Sequence, residues 1–416
     1  MTVEVGILNK HGVALATDSA VTIGNGRGYY NTANKLFALS KYQPVAIMLY
    51  SNAAFMECPL EIIVKEYRKS LKDAKFDTLK EYWEDFKEYL KNFVIDYKIN
   101  QKEILVDEIA NFLDDVDIEI QMEIKKYTRK LEELKDSDEI SERDITSEIN
   151  DIIYSTLLSI NENFDEMEDD PQFIDMLPEV KELIEEDVKD KIDLIIGIEL
   201  SDEMTELLLN FCYKILTKKI VFPTHTGIVI AGYGEKEVYP SMVSAEISGC
   251  YFNKLKISNE RVDEINNSIS ASIIPFAQDD VIKTFMNGID VNYMDIIKNV
   301  IENNDTLNKL DVDGKCREEL INKITSECAQ MSHSSHWGPM VSTVSSAPKE
   351  ELSQMAETLV NLTSFRRKLN MDEHSQTVGG PVDVAVITKG DGLIWIKRKQ
   401  YFSKEINHQF MHNYFR

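Results

Sequence analysis

The sequence predicts an α+β fold in which strands from both ends of the chain form the core and long helical segments are inserted between them. Three observations lead to this prediction. Residues 1–57 and 382–396 have strand-like stretches, apolar residues recur at helical spacing through 73–219, and a second helix-rich stretch covers 276–369. This order of strands, helices, strands, helices and strands differs from the alternating β-α-β units of parallel-sheet folds.

Two hairpins are the clearest local signals. Residues 2–8 and 13–17 form strand-like runs around a turn that contains Gly12. Near the other end, residues 382–387 and 393–396 flank a turn with two glycines and an aspartate, which is a strong hairpin pattern. Pairing of these two hairpins would give one sheet built from distant parts of the chain.

Three further strands and one helix are expected between the hairpins. The apolar runs at 35–39, 45–49 and 227–232 are typical of buried strands. Pro59 is expected to open a helix, because proline fits the first helical turn.

Composition indicates a globular protein with a sizeable core. Of 416 residues, 43% are hydrophobic and 28% are charged. The longest apolar run, at 44–50, is too short to span a bilayer, and no signal peptide is expected at the N-terminus. The five cysteines have no disulfide-like spacing, so a cytoplasmic location is expected.

Acidic charge is concentrated in one segment. The chain carries a net charge of −26, which disfavours nucleic acid as a partner because the phosphate backbone is also negative. Residues 71–220 hold 42 Asp and Glu against 19 Lys and Arg, a net −23, and Gly197 is the only glycine there. We expect residues 73–220 to form an acidic helical insertion that projects from the core as an arm.

Thr2, Asp18 and Lys35 form a coherent chemical set near the N-terminus. A threonine hydroxyl becomes a useful nucleophile only when a neighbouring base accepts its proton. The α-amine of Thr2 could be that base near neutral pH, provided that Met1 has been removed. A lysine beside the hydroxyl would favour the alkoxide, and an aspartate would hold the lysine charged and in place.

The stretches that hold these residues resemble the proteasome β-subunits, N-terminal-nucleophile (Ntn) hydrolases in which a threonine starts the mature chain on a strand. That family has an aspartate sixteen residues after the threonine, as Asp18 follows Thr2, and a lysine in the following strand, as at Lys35. The start Met-Thr is similar to the bacterial proteasome-like branch, which can lose only the initiator methionine. The resemblance implies a four-layer α-β-β-α sandwich and catalysis by Thr2, Asp18 and Lys35.

The resemblance extends to weaker motifs. It implies that Thr22 contacts the substrate backbone and that the amide of Ser51 contributes to the oxyanion hole, where the family usually has glycine. It also implies supporting roles for Ser272 and for Gly379 and Gly380.

Near Gly379 the sequence departs from the family pattern. The family usually shows an aspartate and a serine where Ser375 and Val378 stand here, so two supporting groups are missing. Asp372 or Thr377 could replace them.

These observations predict a threonine hydrolase that cleaves peptide bonds through a Thr2 acyl-enzyme. The proteasome-like core is expected to comprise 1–72 and 221–400, with a C-terminal tail at 401–416. The resemblance implies a homo-oligomer, with a ring as one form, and a separate regulator or ATPase. No metal, cofactor or membrane is expected to take part.

Three alternatives remain open at this stage. The same fold could carry a non-peptidase amidohydrolase, because fold does not fix substrate. The chain could instead be a catalytically inactive scaffold, which the altered positions at Ser51, Ser375 and Val378 favour. A third alternative is an interaction module in which the acidic arm is the functional part.

Overall fold

The computed structural model is mixed α and β, with antiparallel sheets and many helices. It describes residues 2–23, 28–134, 142–189, 192, 200–304, 306–307, 314–369, 379–400 and 402–414. None of the helices within these ranges combines the length and the apolar character needed to cross a bilayer.

The strands are, in chain order, β1 Val3–Asn9, β2 Gly12–Thr17, β3 Val21–Ile23, β4 Gly28–Tyr30, β5 Leu36–Ala38, β6 Val45–Ser51, β7 Ala54–Phe55, β8 Cys58–Pro59, β9 Thr226–Gly232, β10 Ser241–Tyr251, β11 Lys254–Glu264, β12 Ala271–Ala277, β13 Asp383–Thr388 and β14 Gly392–Lys397. The α-helices are α1 Leu60–Leu71, α2 Leu79–Asp96, α3 Gln101–Leu134, α4 Glu142–Asp165, α5 Pro171–Ile174, α6 Leu177–Leu183, α7 Asp202–Thr217, α8 Asp280–Asn287, α9 Val291–Glu302, α10 Lys315–Ser332, α11 Gly338–Ser346, α12 Lys349–Leu369 and α13 His408–Tyr414. Single π-helical turns at Ile184–Val188 and His333–Trp337 follow α6 and α10.

The first five-stranded sheet has the order β12-β1-β2-β13-β14, and its pairs are antiparallel. Both predicted hairpins, β1–β2 and β13–β14, are present. They lie side by side because β2 pairs with β13, with Thr17 opposite Asp383. The sheet therefore joins the two ends of the chain.

The second five-stranded sheet has the order β11-β10-β9-β6-β5. Both sheets contribute to one hydrophobic cluster, in which Leu15 and Ala385 from the first sheet pack with Met48 and Val229 from the second. The inner faces of the two sheets therefore form a common core.

Helices pack on the other face of the first sheet. Val5 of β1 and Val384 of β13 belong to a second cluster with Ala356 and Val360 of α12. Helices α8 and α11 contribute to the same cluster. The expected helical layer over the outer face of the second sheet, and with it the four-layer arrangement, stays a prediction.

The chain divides into two compact units by its internal contacts. The first unit comprises Met1–Tyr89, Thr226–Ala245 and Asn259–Arg416. The second comprises Leu90–His225 and Glu246–Ser258, and so contains α3 to α7 together with parts of β10 and β11. The predicted boundaries at 72/73 and 220/221 stay a proposal.

The second unit has an aromatic core and one buried ion pair. Phe112 packs edge-on against Phe211 and Phe222. The Lys256 side chain is fully buried, and its Nζ lies 3.1 Å from Asp170 Oδ2. Burial lowers the pKa of Lys256, whereas Asp170 acts in the opposite direction.

Several elements differ from the sequence expectations. The helix-rich stretch expected from 276 starts with strand, because residues up to Ala277 pair with β1, and α8 begins at Asp280. The long strands β10 and β11 were not predicted. By contrast, the helix expected after Pro59 is confirmed as α1, whose apolar side chains at helical spacing are buried.

Candidate active site

The β1–β2 hairpin places Asp18 beside the start of β1. Glu4 pairs with Thr17, so Asp18, the residue that follows β2, lies opposite Val3. The Asp18 N–H donates to the Val3 carbonyl at 3.2 Å, and the Val3 N–H donates to Asp18 Oδ1 at 3.4 Å. A tight turn between two strands of matched length thus brings residue 18 to residue 2.

Lys35 occupies the centre of the predicted catalytic set. Its Nζ donates to Thr2 Oγ1 at 2.8 Å, to Asp18 Oδ1 at 2.7 Å and to the carbonyl of Ala20. An ammonium has three N–H donors, so these three acceptors use all of them. Because Lys35 is only 5% exposed, its charge is weakly screened by solvent.

Asp18 is fully buried and holds its partners through both carboxylate oxygens. Besides Lys35 and the Val3 N–H, it accepts a hydrogen bond from the Gly379 N–H at 3.0 Å through Oδ2. The carboxylate is therefore fixed by two backbone N–H groups and one cation, which makes a preorganised anchor for Lys35.

The loop before β13 is tied to the residue after Asp18. The Ser19 N–H donates to the Gly379 carbonyl at 3.2 Å, and the Ser19 hydroxyl donates to the Pro381 carbonyl. Gly380 has φ +81°, and a Cβ there would lie 2.9 Å from Asn31 Cβ, so this position favours glycine. The predicted supporting glycines thus lie next to the cluster, with Gly379 in direct contact.

Two other predicted site residues, Thr22 and Ser51, lie on strands β3 and β6. Thr22 lies on β3, where its backbone pairs with Tyr29. Ser51 ends β6 with φ +65°, a left-handed conformation that favours glycine. The hydrogen bonds of the Thr2–Asp18–Lys35 cluster described above do not include Ser51. Asp372, Ser375, Thr377 and Val378 lie outside the described residues.

Ser272 is not brought to the cluster. It pairs with Leu8, whereas the partner of Val3 on the same strand is Ala277. Five residues of strand separate the two positions, roughly 17 Å at ~3.4 Å per residue. Gln278 lies at the Thr2 end instead, and its N–H donates to the Thr2 carbonyl at 3.1 Å.

Glu4 is a buried acid near the cluster that the sequence analysis missed. It is fully buried, and its Oε1 lies 3.1 Å from the Thr17 hydroxyl. Burial raises the pKa of Glu4 well above its usual range, and the nearby Lys35 charge opposes that rise only in part. The available signal was its position: Glu4 follows Thr2 by two residues, which places both side chains on one face of an extended strand.

Comparisons with known proteins add only distant similarity. No protein-family model matches this chain, and no curated protein matches its sequence. Among solved structures, an Anbu mutant from Hyphomicrobium sp. strain MC1 aligns with 7% identity and a TM-score of 0.28. Anbu (ancestral beta-subunit) from Yersinia bercovieri aligns with 10% identity and a TM-score of 0.29. Both alignments cover 99% of this chain and 94% of the other.

TM-scores this low do not assign a fold or an activity, so the chemistry of the site rests on its own geometry. A hydroxyl oxygen lies within hydrogen-bond distance of a buried ammonium, and a buried carboxylate fixes that ammonium. Such an arrangement stabilises negative charge on the hydroxyl oxygen more than it stabilises the neutral hydroxyl. It is therefore suited to activating Thr2 as a nucleophile.

Proposed function

We propose that this chain is an N-terminal threonine hydrolase of the proteasome β-subunit type, which cleaves peptide bonds through a Thr2 acyl-enzyme. The observation that carries the proposal is the position of Lys35 Nζ, 2.8 Å from Thr2 Oγ1 and 2.7 Å from Asp18 Oδ1. The three residues that the family resemblance and their spacing indicate form one hydrogen-bonded cluster, and at most 5% of each is exposed.

The proposed reaction begins with removal of Met1. The freed α-amine of Thr2, whose ordinary pKa is ~8, accepts the proton of the Thr2 hydroxyl. The hydroxyl oxygen then attacks the substrate carbonyl carbon, while Lys35 stabilises the developing negative charge. The α-ammonium returns its proton to the leaving amine, and water releases the acyl group from Thr2 in a second step with the same base.

In this proposal the other predicted residues either bind the substrate or hold Asp18 in place. The Ser51 N–H would donate to the oxyanion of the tetrahedral intermediate, a role that any residue other than proline can fill. Thr22 would contact the substrate backbone. Gly379 and Gly380 would act indirectly by holding Asp18.

The proposal also covers the fold, the oligomeric state and the cellular compartment of the protein. The core would be a four-layer α-β-β-α sandwich that assembles into a homo-oligomer, as a ring or a smaller assembly, with access controlled by a separate regulator or ATPase. Cys58, Cys212, Cys250, Cys316 and Cys328 are all free thiols. This favours a reducing compartment such as the cytoplasm.

The decisive experiment combines intact mass with covalent trapping. We expect protein purified from its own cell to lack one methionine, and a peptide vinyl sulfone to add once, at Thr2. The matched control is Thr2→Ala, which keeps the chain length but lacks the hydroxyl. Complete retention of Met1, together with absence of the adduct, would instead support the inactive scaffold.

A further inference from the structure

Glu4 follows the proposed nucleophile Thr2 by two residues and lies in the interior of the protein. It shares a strand face with Thr2 and pairs with Thr17 on one side and with Phe276 on the other. Its side chain is completely buried. A carboxylate in such a place is costly unless hydrogen bonds or a cation compensate for lost hydration.

The hydrogen bonds around Glu4 fit a protonated carboxyl group. The Thr17 hydroxyl oxygen lies 3.1 Å from Glu4 Oε1 and 3.1 Å from the Asp18 carbonyl oxygen. Thr17 has a single hydroxyl hydrogen, so it can donate to only one of these two acceptors. Both contacts become hydrogen bonds if Glu4 carries a proton and donates it to Thr17 while Thr17 donates to Asp18.

The second oxygen of Glu4 has no compensating partner. Glu4 Oε2 is buried and makes no hydrogen bond within the part of the chain that the structure describes. An ionised carboxylate would leave this oxygen charged and unpaired, whereas a protonated acid leaves only a neutral carbonyl-like oxygen.

Charged groups on the neighbouring elements do not remove the preference of Glu4 for its protonated form. Lys35, before β5, and Lys399, after β14, favour the ionised form, but each already bonds another carboxylate, Asp18 and Asp383 respectively. The negative charge of Asp18, after β2, acts against ionisation, and the facing residue of β12 is Phe276. Burial is the largest influence and raises the pKa of Glu4.

We propose that Glu4 is a neutral carboxylic acid that sets the charge balance of the Thr2–Lys35 pair, a positioning residue whose ionisation as the pH rises turns the site off. This proposal rests on the proposed hydrolase function of Thr2. When Glu4 ionises, its proton passes to bulk water. The Thr17 hydroxyl then turns from the Asp18 carbonyl to the new carboxylate.

The consequence for catalysis follows from charge. An added negative charge near Lys35 offsets part of its positive potential at Thr2 Oγ1, so the alkoxide that forms during attack is less stabilised. The rate of Thr2 reactions should therefore fall as Glu4 ionises, with the slope of a single ionisation. Glu4 touches no reacting atom, so its effect passes entirely through Lys35 and Thr17.

The first test measures the pH dependence of Thr2 labelling by a peptide vinyl sulfone. We expect the wild-type rate to decline as the pH rises through the ionisation of Glu4, and Glu4→Gln, which cannot ionise, to lack this decline. The matched control is Glu108→Gln. Glu108 is a buried glutamate of the second unit that likewise lies at hydrogen-bond distance from a threonine hydroxyl and has an unpaired Oε2 among the described residues. Its substitution should leave the pH profile of Thr2 unchanged.

A second variant covers the case in which Glu4→Gln fails to fold. The Thr17 hydroxyl favours the ionised form and so lowers the pKa of Glu4. Thr17→Val removes that stabilisation and should move the decline to higher pH. A Glu4→Gln profile that superimposes on the wild type, or a decline that does not move in Thr17→Val, would overturn the proposal.

An NMR measurement that does not depend on catalysis distinguishes a failure of this proposal from a failure of the proposed hydrolase function. In protein labelled with 13C at lysine Cε, and assigned by Lys35→Met, we expect the pH profile of the Lys35 signal to contain a transition from the ionisation of Glu4 that is missing in Glu4→Gln. If Thr2 never reacts but this difference is present, the hydrolase function fails and control of Lys35 by Glu4 stands. A Lys35 profile that is the same in Glu4→Gln as in the wild type would refute the role of Glu4.

Discussion

Replacing Lys35 with methionine tests the centre of the proposed site. Methionine is similar in length to lysine and flexible enough to fill the same space, but it carries no charge and no N–H donor. The change removes the hydrogen bonds to Thr2 Oγ1, to Asp18 Oδ1 and to the Ala20 carbonyl. We expect it to lower both the reactivity of Thr2 and the stability of the fold.

The size of the kinetic effect follows from the geometry. Two unit charges 2.8 Å apart interact by roughly 6 kcal/mol at an effective dielectric constant of ~20. The unreacted hydroxyl already gains part of this energy, so the differential loss is smaller. Removal of one preorganised donor typically costs about 2.7–4 kcal/mol, or about 10²–10³-fold in rate. We expect Lys35→Met to slow vinyl sulfone labelling of Thr2 by that factor.

The size of the stability effect follows from Asp18. Breaking a buried ion pair on one side costs about 3–5 kcal/mol, because the remaining charge stays buried. Asp18 retains the N–H groups of Val3 and Gly379 in the mutant, so we expect the lower end of this range. Denaturant unfolding gives this value, and labelling rates are then expressed per folded molecule.

The matched control is Lys256→Met, which breaks a buried lysine–aspartate pair in the second unit. It should reduce stability by a similar amount and leave the labelling rate of the folded protein unchanged. Lys35→Arg should not restore the rate, because a planar guanidinium does not occupy the place of an ammonium. A wild-type labelling rate in Lys35→Met would show that Lys35 is only structural.

Three further predictions concern the nucleophile, the buried acid and the insertion. Thr2→Ala should abolish peptide hydrolysis without altering the circular dichroism spectrum, and unchanged turnover would refute the assignment. Because burial raises the pKa of Glu4 in the folded state, its contribution to stability is complete below the ordinary value of 4.5 and is lost as the pH rises from there through the folded value. Glu4→Gln should therefore flatten the fall of unfolding free energy that begins above pH 4.5. In α3, hydrogen exchange should be slower between Leu105 and Ile120, where apolar side chains are buried, than in residues 122–131, and equal rates would contradict this packing.

The resemblance to a known family pattern led to the set of Thr2, Asp18 and Lys35, and local structure explains how Asp18 reaches Thr2. In an antiparallel hairpin with a tight turn, Thr17 at the end of β2 pairs with Glu4, so the following residue, Asp18, reaches the Thr2 end of β1 without any long-range information. Lys35 lies immediately before strand β5. Long-range pairing was not predictable in the same way. The register of β12 on β1 decides that Ser272 faces Leu8, and no nearby turn fixes that register.

Glu4 was missed for a different physical reason. In a strand with one solvated face, a glutamate between two valines is expected to point to water. Here both faces of β1 are covered, one by α8, α11 and α12 and the other by the second sheet, so every residue of β1 is buried. Burial of the second face depends on how the sheets stack, which strand alternation alone does not reveal.

The contact between Asp18 and Gly379 has a consequence for the timing of synthesis. The two residues are separated by 361 positions in the chain. At ~5–20 residues per second, a ribosome needs roughly 20–70 s to reach the second partner after making the first. During that interval the β1–β2 hairpin is without β13, and for most of it also without β12, the two strands that flank it in the finished sheet. A nascent chain of this protein therefore exposes apolar strand edges for many seconds, and its carboxylate anchor is completed only when nearly all of the chain has emerged.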